Sequence, residues 1–228
     1  MRVSVGAVTL RPMTTDVLHG AALTRRVIDA VRPTPDRPMY EPVAWVGHAP
    51  WVDGAASPMP QDVLTTAVFP SGRPLSPALR EWFAFDTSLF ARHGWFTPDG
   101  AFAPRSLDQL VADEFGAPWG EAFAPLAERF AECFLLPGGS DSRRVLAVGE
   151  PDSAGEYPVL ALDIDDMPFV GLMYPGFDVY VAEAAGLVRC EFDTYTALAT
   201  DPVYGPRLRE HAAHRFAGDL CDEYPFGG

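Results

Sequence analysis

The sequence contains no lysine, few cysteines and no apolar run that could cross a bilayer. All 17 basic residues are arginine, which the codon bias of a high-GC genome explains without a functional cause. Cys133, Cys190 and Cys221 lie far apart and form no CxxC pair, which argues against a disulfide framework or a zinc site. A membrane-spanning helix needs about 20 apolar residues, and the N-terminus lacks a signal peptide's apolar core. We therefore expect a cytoplasmic protein without a membrane partner.

Basic residues are also missing from one long stretch. Residues 145–188 contain eight acids and no base, and the whole chain has a net charge of −14. Residues 1–144 hold 16 acids and 13 arginines, whereas residues 145–228 hold 15 acids and four arginines. Such asymmetry bears on partners rather than on fold. It disfavours nucleic acid, whose binding depends on basic contacts to phosphate, and it favours a basic protein partner.

The composition and length predict one packed domain with an extension. The chain has 228 residues, of which 48% are hydrophobic and 12% aromatic, so a sizeable core is expected. Residues 1–71 are irregular: a strand is predicted for RVSVGAVTL and a helix over residues 14–31, followed by the proline-rich connector RPTPDRPMYEP and a loop rich in small residues. We interpret residues 1–71 as an N-terminal extension and residues 72–228 as the main domain.

Helix signals become clear from Ser76. A serine followed by Pro77 is a typical helix start, and apolar residues then recur at helical spacing through LREWFAFDTSLF. Ser106 and Gln109 fit a capping box that opens a second helix, SLDQLVADEF. The segment EAFAPLAERFAE, with apolar residues at helical spacing, predicts a third.

The period changes from Cys133 onwards. Four short segments, CFLLPG, RVLAVGE, YPVLALDI and FVGLMY, are rich in branched or aromatic residues and bounded by turn residues, which predicts strands. Pro175-Gly176 reads as a tight turn into a further strand, DVYVAE, so an antiparallel hairpin is expected. Helices return with EFDTYTALATD and GPRLREHAAHRFAGDL. We therefore predict an α+β fold with a mostly antiparallel sheet, at about residues 133–188, packed against helices.

This order of elements resembles the SMI1/KNR4 (SUKH) superfamily. The resemblance rests on the helix LSPALREWFAFD, the LLPGG entry into the sheet, the acidic hairpin and the phenylalanine-containing segment EFDTYTALATD, and it covers about residues 72–217. It implies an α+β fold, and many bacterial members look like immunity proteins that bind and neutralise toxins, often nucleases. The family carries no catalytic residue to transfer, so the resemblance implies a binding protein rather than an enzyme and no cofactor.

The predicted hairpin contains the candidate partner-binding residues. Carboxylates next to tyrosines on an exposed face can steer a basic partner and anchor it. The alternative is that the acids only keep loops soluble and protect sheet edges. The candidates are Asp163, Asp165, Asp166, Tyr174, Asp178 and Tyr180, with Asp178 and Tyr180 expected on one face of the strand.

Asp86 lies on the apolar stripe of its helix, one turn after Trp82. A buried carboxylate has to be paired or hydrogen-bonded, so the simplest interpretation is that Asp86 ties the helix to a loop or to an arginine. The alternative is a general acid or base in an aromatic cleft, with His93 or an arginine as its partner.

Metal and catalytic patterns are weak. Acids starting at Asp163 do not have EF-hand spacing, although a looser Ca²⁺ or Mg²⁺ site is an open alternative. His211 and His214 share a helical face but lack the sequence of a known zinc motif. Nucleophile-elbow, phosphate-loop and dinucleotide-binding patterns are absent.

The sequence therefore leads to three hypotheses. The first is an immunity protein that binds a basic toxin in a stoichiometric complex through an acidic surface. The second is a housekeeping scaffold or regulator of the same fold. The third is an enzyme or small-ligand binder built around Asp86 and Trp82.

Overall fold

A computed structural model describes residues 17–40, 50–138, 142–165 and 167–226. This part of the chain forms eight α-helices, two 3-10 helices and five strands. The α-helices are α1 (Gly20–Val31), α2 (Gln61–Thr66), α3 (Pro77–Phe83), α4 (Ser88–Ala91), α5 (Leu107–Phe115), α6 (Ala117–Phe123), α7 (Phe177–Ala184) and α8 (Gly205–Arg215). The strands are β1 (Cys133–Leu136), β2 (Arg143–Ala147), β3 (Val159–Asp163), β4 (Phe169–Tyr174) and β5 (Cys221–Glu223). Within the described ranges, no helix is long and apolar enough to cross a membrane.

The five strands form one antiparallel sheet in the order β1-β2-β3-β4-β5. Strands β1 to β4 follow one another as a meander, and β5 returns after α7 and α8 to pair with β4. The prediction of an α+β fold with an antiparallel sheet is confirmed. Almost every residue of β1 to β4 is buried, so both faces of the sheet are covered. This explains why these strands read as continuous apolar runs rather than as alternating ones.

Two of the predicted helix starts are present with their caps. The Ser76 hydroxyl accepts a hydrogen bond from the backbone N–H of Leu79, at 3.3 Å, and α3 begins at Pro77. Ser106 and Gln109 form the expected capping box at the start of α5. The apolar stripe that starts at Ser76 does not continue as one helix, because α3 ends at Phe83 and the short α4 follows after a turn.

The segment after Pro175-Gly176 is a helix, so the predicted strand and hairpin are wrong. Gly176 is the N-cap of α7 and Asp178 lies in its first turn. A carboxylate in this position interacts favourably with the helix dipole. A Cβ on Gly176 would lie 2.6 Å from the Glu156 side chain and 2.8 Å from Arg207, so close packing requires glycine here. Because α7 is buried on nearly all sides, it has no polar stripe, and its sequence imitates a strand.

Two further differences lie at the end of the chain. The predicted sheet range of about 133–188 is too long, since β4 ends at Tyr174 and the fifth strand is Cys221–Glu223. The predicted helix EFDTYTALATD contains only a 3-10 helix, Ala197–Thr200. Its threonines, its aspartates and the preceding turn residues favour local hydrogen bonds over a regular helix.

The described part of the predicted extension shares the core of the main domain. Helix α1 packs against α3 and α7, and Val27, Val31, Trp51 and Leu64 are buried in the same apolar cluster as the sheet. The predicted helix over residues 14–31 is found as α1 from Gly20. The predicted strand RVSVGAVTL lies outside the described residues. Through α1, the extension supplies one wall of the interior that lies behind the sheet.

Candidate functional site

The turn between β3 and β4 carries the predicted acids that remain accessible. Asp163 ends β3 half-buried, and Asp165 is exposed in the turn. The Tyr195 hydroxyl donates to Asp163 Oδ2 at 2.6 Å, and the backbone N–H of Asp165 donates to Asp163 Oδ1 at 2.9 Å. Asp163 therefore shapes the turn and Asp165 is presented to solvent. Asp166 lies outside the described residues.

Strand β5 places a second acid, Glu223, and the large side chain of Tyr224 beside this turn, which itself exposes Met167. Phe169 pairs with both Asp163 and Glu223 in register, so the two acids lie in one row across the sheet. The Tyr224 backbone N–H donates to Pro168 O at 2.9 Å. Met167 and Tyr224 are 51% and 45% exposed. We define the acidic turn surface as Asp163, Asp165, Met167, Glu223 and Tyr224.

The carboxylates of this surface are not neutralised by the part of the chain that the structure describes. Neither Asp163, Asp165 nor Glu223 forms an ion pair there. The neighbouring Asp222, in contrast, is paired with Arg129. Sequence reasoning missed β5 because DLCDEY is short and has an acid at almost every second position, which resembles a loop. Pairing with β4 alone makes it a strand.

The other predicted partner-binding residues are buried, so their placement on an exposed face is wrong. Tyr174, Asp178 and Tyr180 are all in the interior. The Tyr180 hydroxyl donates to Pro137 O at 2.7 Å, and the Tyr174 hydroxyl donates to Glu183 at 3.2 Å. The physical reason is the helix α7: its turn directs Asp178 inward, towards α1 and α8, where a strand would have directed it to solvent.

Asp178 belongs to a buried ionic cluster around Arg207 of α8. The Arg207 guanidinium donates to Asp178 Oδ2 at 2.9 Å, to Asp178 Oδ1 at 3.2 Å and, through Nε, to Asp152 at 2.5 Å. The backbone N–H of Gly20 also donates a hydrogen bond to Asp178 Oδ2, at 2.7 Å. Within the cluster, His211 Nε2 lies 3.7 Å from Asp152 Oδ2 and 2.9 Å from Pro175 O. We call Asp152, Glu156, Asp178, Arg207 and His211 the Arg207 cluster.

The cluster balances acids from the stretch that has no base of its own. Burial favours the neutral forms of both partners, but the charges of Asp178 and Asp152 raise the pKa of Arg207 overall. Burial also opposes ionisation of Asp152, yet the nearby His211 imidazole and the charge of Arg207 lower its pKa. Arg207 and His211 are one helical turn apart and therefore share one face of α8, but this spacing does not indicate that Asp152 and Asp178 are the acids they meet.

Glu156 is the member of the cluster without a cation of its own. Its Oε1 accepts a hydrogen bond from the Ala78 N–H at 2.8 Å, and its buried Oε2 has no hydrogen-bond partner among the residues that the structure describes. Burial, and next the charge of Asp178, raise the pKa of Glu156 well above its ordinary value. The folded protein therefore holds a proton on Glu156 more tightly than the unfolded chain does.

Asp86 ties α3 and α4 to a loop. Its Oδ1 accepts from the backbone N–H of Ser57 at 2.9 Å, and its Oδ2 accepts from the Ser88 hydroxyl at 2.7 Å and from the Leu89 N–H at 3.3 Å. Trp82 lies in the aromatic core, 5.6 Å from the Trp51 ring centroid. Both residues therefore have structural contacts that account for their burial.

Replacing Asp86 by alanine should reduce the free energy of unfolding by about 2–3 kcal/mol. The reason is that two backbone N–H groups, those of Ser57 and Leu89, would lose their acceptor. Urea unfolding followed by tryptophan fluorescence measures the loss. The exposed Asp36 provides a matched control, and its alanine variant should change the stability by less than about 0.5 kcal/mol. A loss below about 1 kcal/mol for Asp86→Ala would show that the tie contributes little.

A cleft of about 870 Å³ lies next to the acidic turn surface. Asp163 and Asp165 line one part of it, and Arg92, Arg105 and Arg143 line another. The cleft is thus of mixed charge. Arg105 and Arg143 already pair with Asp113 and Glu114, at 2.9 and 2.8 Å. His93 also lines it, and burial, followed by the charge of Arg92, lowers the pKa of its imidazole to about 4.

The two histidines of α8 have different surroundings. His211 is buried in the Arg207 cluster, whereas His214 is exposed on the same helix. Among the described residues there is no group of three histidine, cysteine or acidic side chains placed to hold a metal ion.

Comparison of the chain with family models, with curated proteins and with solved structures finds no match.

Proposed function

We propose that this chain is a protein-binding module of the SMI1/KNR4 type that acts as an immunity protein against a basic toxin. The observation that carries the proposal is the acidic turn surface, where unpaired carboxylates flank exposed Met167 and Tyr224. Carboxylates without an intramolecular ion pair steer a basic protein towards the surface. Exposed aromatic and thioether side chains supply the area that holds it there.

The mechanism is stoichiometric occlusion. The toxin docks on the acidic turn surface, and its substrate groove is covered while carboxylates occupy positions that phosphates of a nucleic-acid substrate would take. Because Asp178 is buried, the acids that face the partner are Asp163, Asp165 and Glu223. A housekeeping scaffold with the same surface is the second candidate, and the nature of the bound partner distinguishes the two.

Neutralising Asp165 and Glu223 together, as Asp165→Asn and Glu223→Gln, should slow association with the partner about tenfold at low salt and leave the dissociation rate nearly unchanged. The Met167→Ala and Tyr224→Ala pair should instead accelerate dissociation, because the anchoring area is lost. Both are measured by surface plasmon resonance on a partner captured from native lysate. The Asp29→Asn and Asp36→Asn pair, on exposed residues of equal charge, is the control.

The immunity function is then tested in cells. Expression of the captured partner alone should arrest growth, and coexpression of the wild-type chain or of the control pair should restore it. Coexpression of the acidic turn surface variants should restore growth less. A partner whose expression does no harm would contradict the toxin proposal in favour of a scaffold. Equal binding by all variants would place the interface elsewhere.

A further inference from the structure

A second, smaller cavity of about 550 Å³ lies between the sheet and the segment that follows α7. Its size falls within the range of small-molecule pockets, which is about 300–1,000 Å³. Arg144 of β2 and Glu183 of α7 line it, together with aromatic side chains from three parts of the chain. None of these groups belongs to the acidic turn surface or to the Arg207 cluster.

Arg144 is the group that distinguishes this cavity. Its side chain is on a central strand and only 9% of the residue is exposed. The guanidinium donates through Nη1 to the Ser142 hydroxyl at 2.7 Å and makes a long contact of 3.4 Å with the Arg143 carbonyl. In the described part of the chain no carboxylate lies within 4.0 Å of it. A guanidinium has five N–H donors, so most of them remain available.

The contrast with Arg207 indicates that this is a feature of the cavity. Arg207 is just as buried and is matched by two carboxylates. A buried cation without a carboxylate in direct contact is costly, and arginine does not lose its charge at physiological pH. A ligand carboxylate that accepts two parallel hydrogen bonds from Arg144 would supply the missing partner.

The walls of the cavity fit a planar, apolar ligand body. Tyr174 and Phe192 meet at a ring-centroid distance of 5.5 Å, and the Tyr195 ring lies 5.6 Å from the Arg144 guanidinium carbon. Tyr40 also lines the cavity. Aromatic rings prefer offset or edge contacts with a further ring, so an aromatic group between these side chains gains more than an aliphatic one.

Two acids give the cavity a second polar requirement. Glu183 accepts a hydrogen bond from the Tyr174 hydroxyl at 3.2 Å, and Asp193 lines the rim. Burial raises the pKa of Glu183, and a ligand cation beside it would oppose that shift. One cation and two acids around aromatic walls match a molecule that carries both charges on a ring-bearing body.

We propose that this cavity binds a zwitterionic aromatic amino acid, with its carboxylate on Arg144 and its ammonium group on Glu183. The site would make binding of such a metabolite a property of the protein separate from docking of a protein partner.

Isothermal titration calorimetry of the full chain with L-tryptophan, tryptamine and indole-3-propionate tests the assignment of each charge. Tryptamine lacks the carboxylate and indole-3-propionate lacks the ammonium group, so both should bind about tenfold more weakly or worse. L-Phenylalanine and L-tyrosine, titrated in parallel, cover the remaining aromatic side chains. Failure of all three amino acids to bind at concentrations up to about 5 mM would overturn the proposal.

Two variants assign the charges to residues. Arg144→Gln should weaken L-tryptophan about tenfold and leave tryptamine unchanged, whereas Glu183→Gln should weaken L-tryptophan and leave indole-3-propionate unchanged. The second variant keeps the test valid if Arg144→Gln fails to fold, since Glu183 is only half-buried. Loss of all three probes in Glu183→Gln alone, or equal affinity of the wild-type chain for tryptophan and tryptamine, would contradict the assigned roles.

Discussion

Replacing Arg207 by methionine should lower the free energy of unfolding at pH 7 by about 3–5 kcal/mol, because removing one partner of a buried ion pair leaves an uncompensated charge. Here two carboxylates, Asp152 and Asp178, would lose the only guanidinium contacts that they make within the described ranges of the chain. Both carboxylates are buried. Burial and the charge of Asp178 already raise the pKa of the neighbouring Glu156, so unbalanced negative charge is unfavourable in this part of the interior. Methionine retains much of the apolar volume, so the loss reports mainly on the charge.

Urea unfolding at several pH values measures this effect and its cause. The folded-state pKa of Asp152 is lowered, so the stability that it contributes is present above its unfolded pKa of about 3.9 and is lost as the pH falls through the folded value. The difference between wild type and Arg207→Met should therefore shrink towards pH 3.

The controls separate charge from packing. Arg26→Met, on an exposed residue of α1, should change the stability by less than about 0.5 kcal/mol. Adding Asp152→Asn and Asp178→Asn to Arg207→Met should recover part of the loss, because the buried charges are removed together with their partner. A loss that is independent of pH, or one below about 1 kcal/mol, would show that the cluster does not depend on the cation.

Replacing Glu156 by glutamine should stabilise the protein increasingly as the pH rises above about 4.3, the unfolded pKa of glutamate. The folded-state pKa of Glu156 is raised by burial and by the charge of Asp178. A group of this kind contributes stability that is fully present below its unfolded pKa and is lost as the pH rises through the folded value. Glutamine is neutral at all pH values and removes that loss.

The expected slope of the difference is up to about 1.4 kcal/mol per pH unit between the unfolded and the folded pKa. Urea unfolding of both proteins between pH 4 and pH 8 measures it. Glutamine retains the oxygen that accepts the Ala78 N–H, so the two proteins should be equally stable near pH 4. Glu210→Gln, on α8 and only half-buried, is the control and should not reproduce the slope. A difference that stays constant over this range would mean that Glu156 is ionised in the folded state.

Local signals in the sequence were sufficient for much of the scaffold. The serine caps at Ser76 and Ser106, the four apolar strand segments and the change of period at Cys133 are each readable within a few residues. The caps depend on hydrogen bonds within a single turn of chain. The strands depend on the pattern of apolar residues within a short window. The antiparallel meander follows from short connections for the same reason.

The candidate surfaces could be predicted only in part. Asp163 ends a strand and Asp165 lies in the turn that follows. Their position after an apolar strand segment was enough to predict that they lie at the end of the sheet. Asp178 and Tyr180 were assigned to the same surface because DVYVAE alternates like a strand. In the structure α7 is buried on nearly all sides, and a helix without a polar face gives no helical period to read.

By itself the sequence determined the α+β class, the antiparallel meander from Cys133, the helix caps and the excess of acid in residues 145–188. Only the tertiary structure decided which acids face solvent. It placed Arg207 against Asp152 and Asp178, which lie 55 and 29 residues away in the chain, and it paired β5 with β4. It also left Arg144 with no carboxylate of the described residues within 4.0 Å. The physical reason is that a buried charge takes its partner from whichever segment is packed against it, and that choice depends on distances in space and not on spacing along the chain.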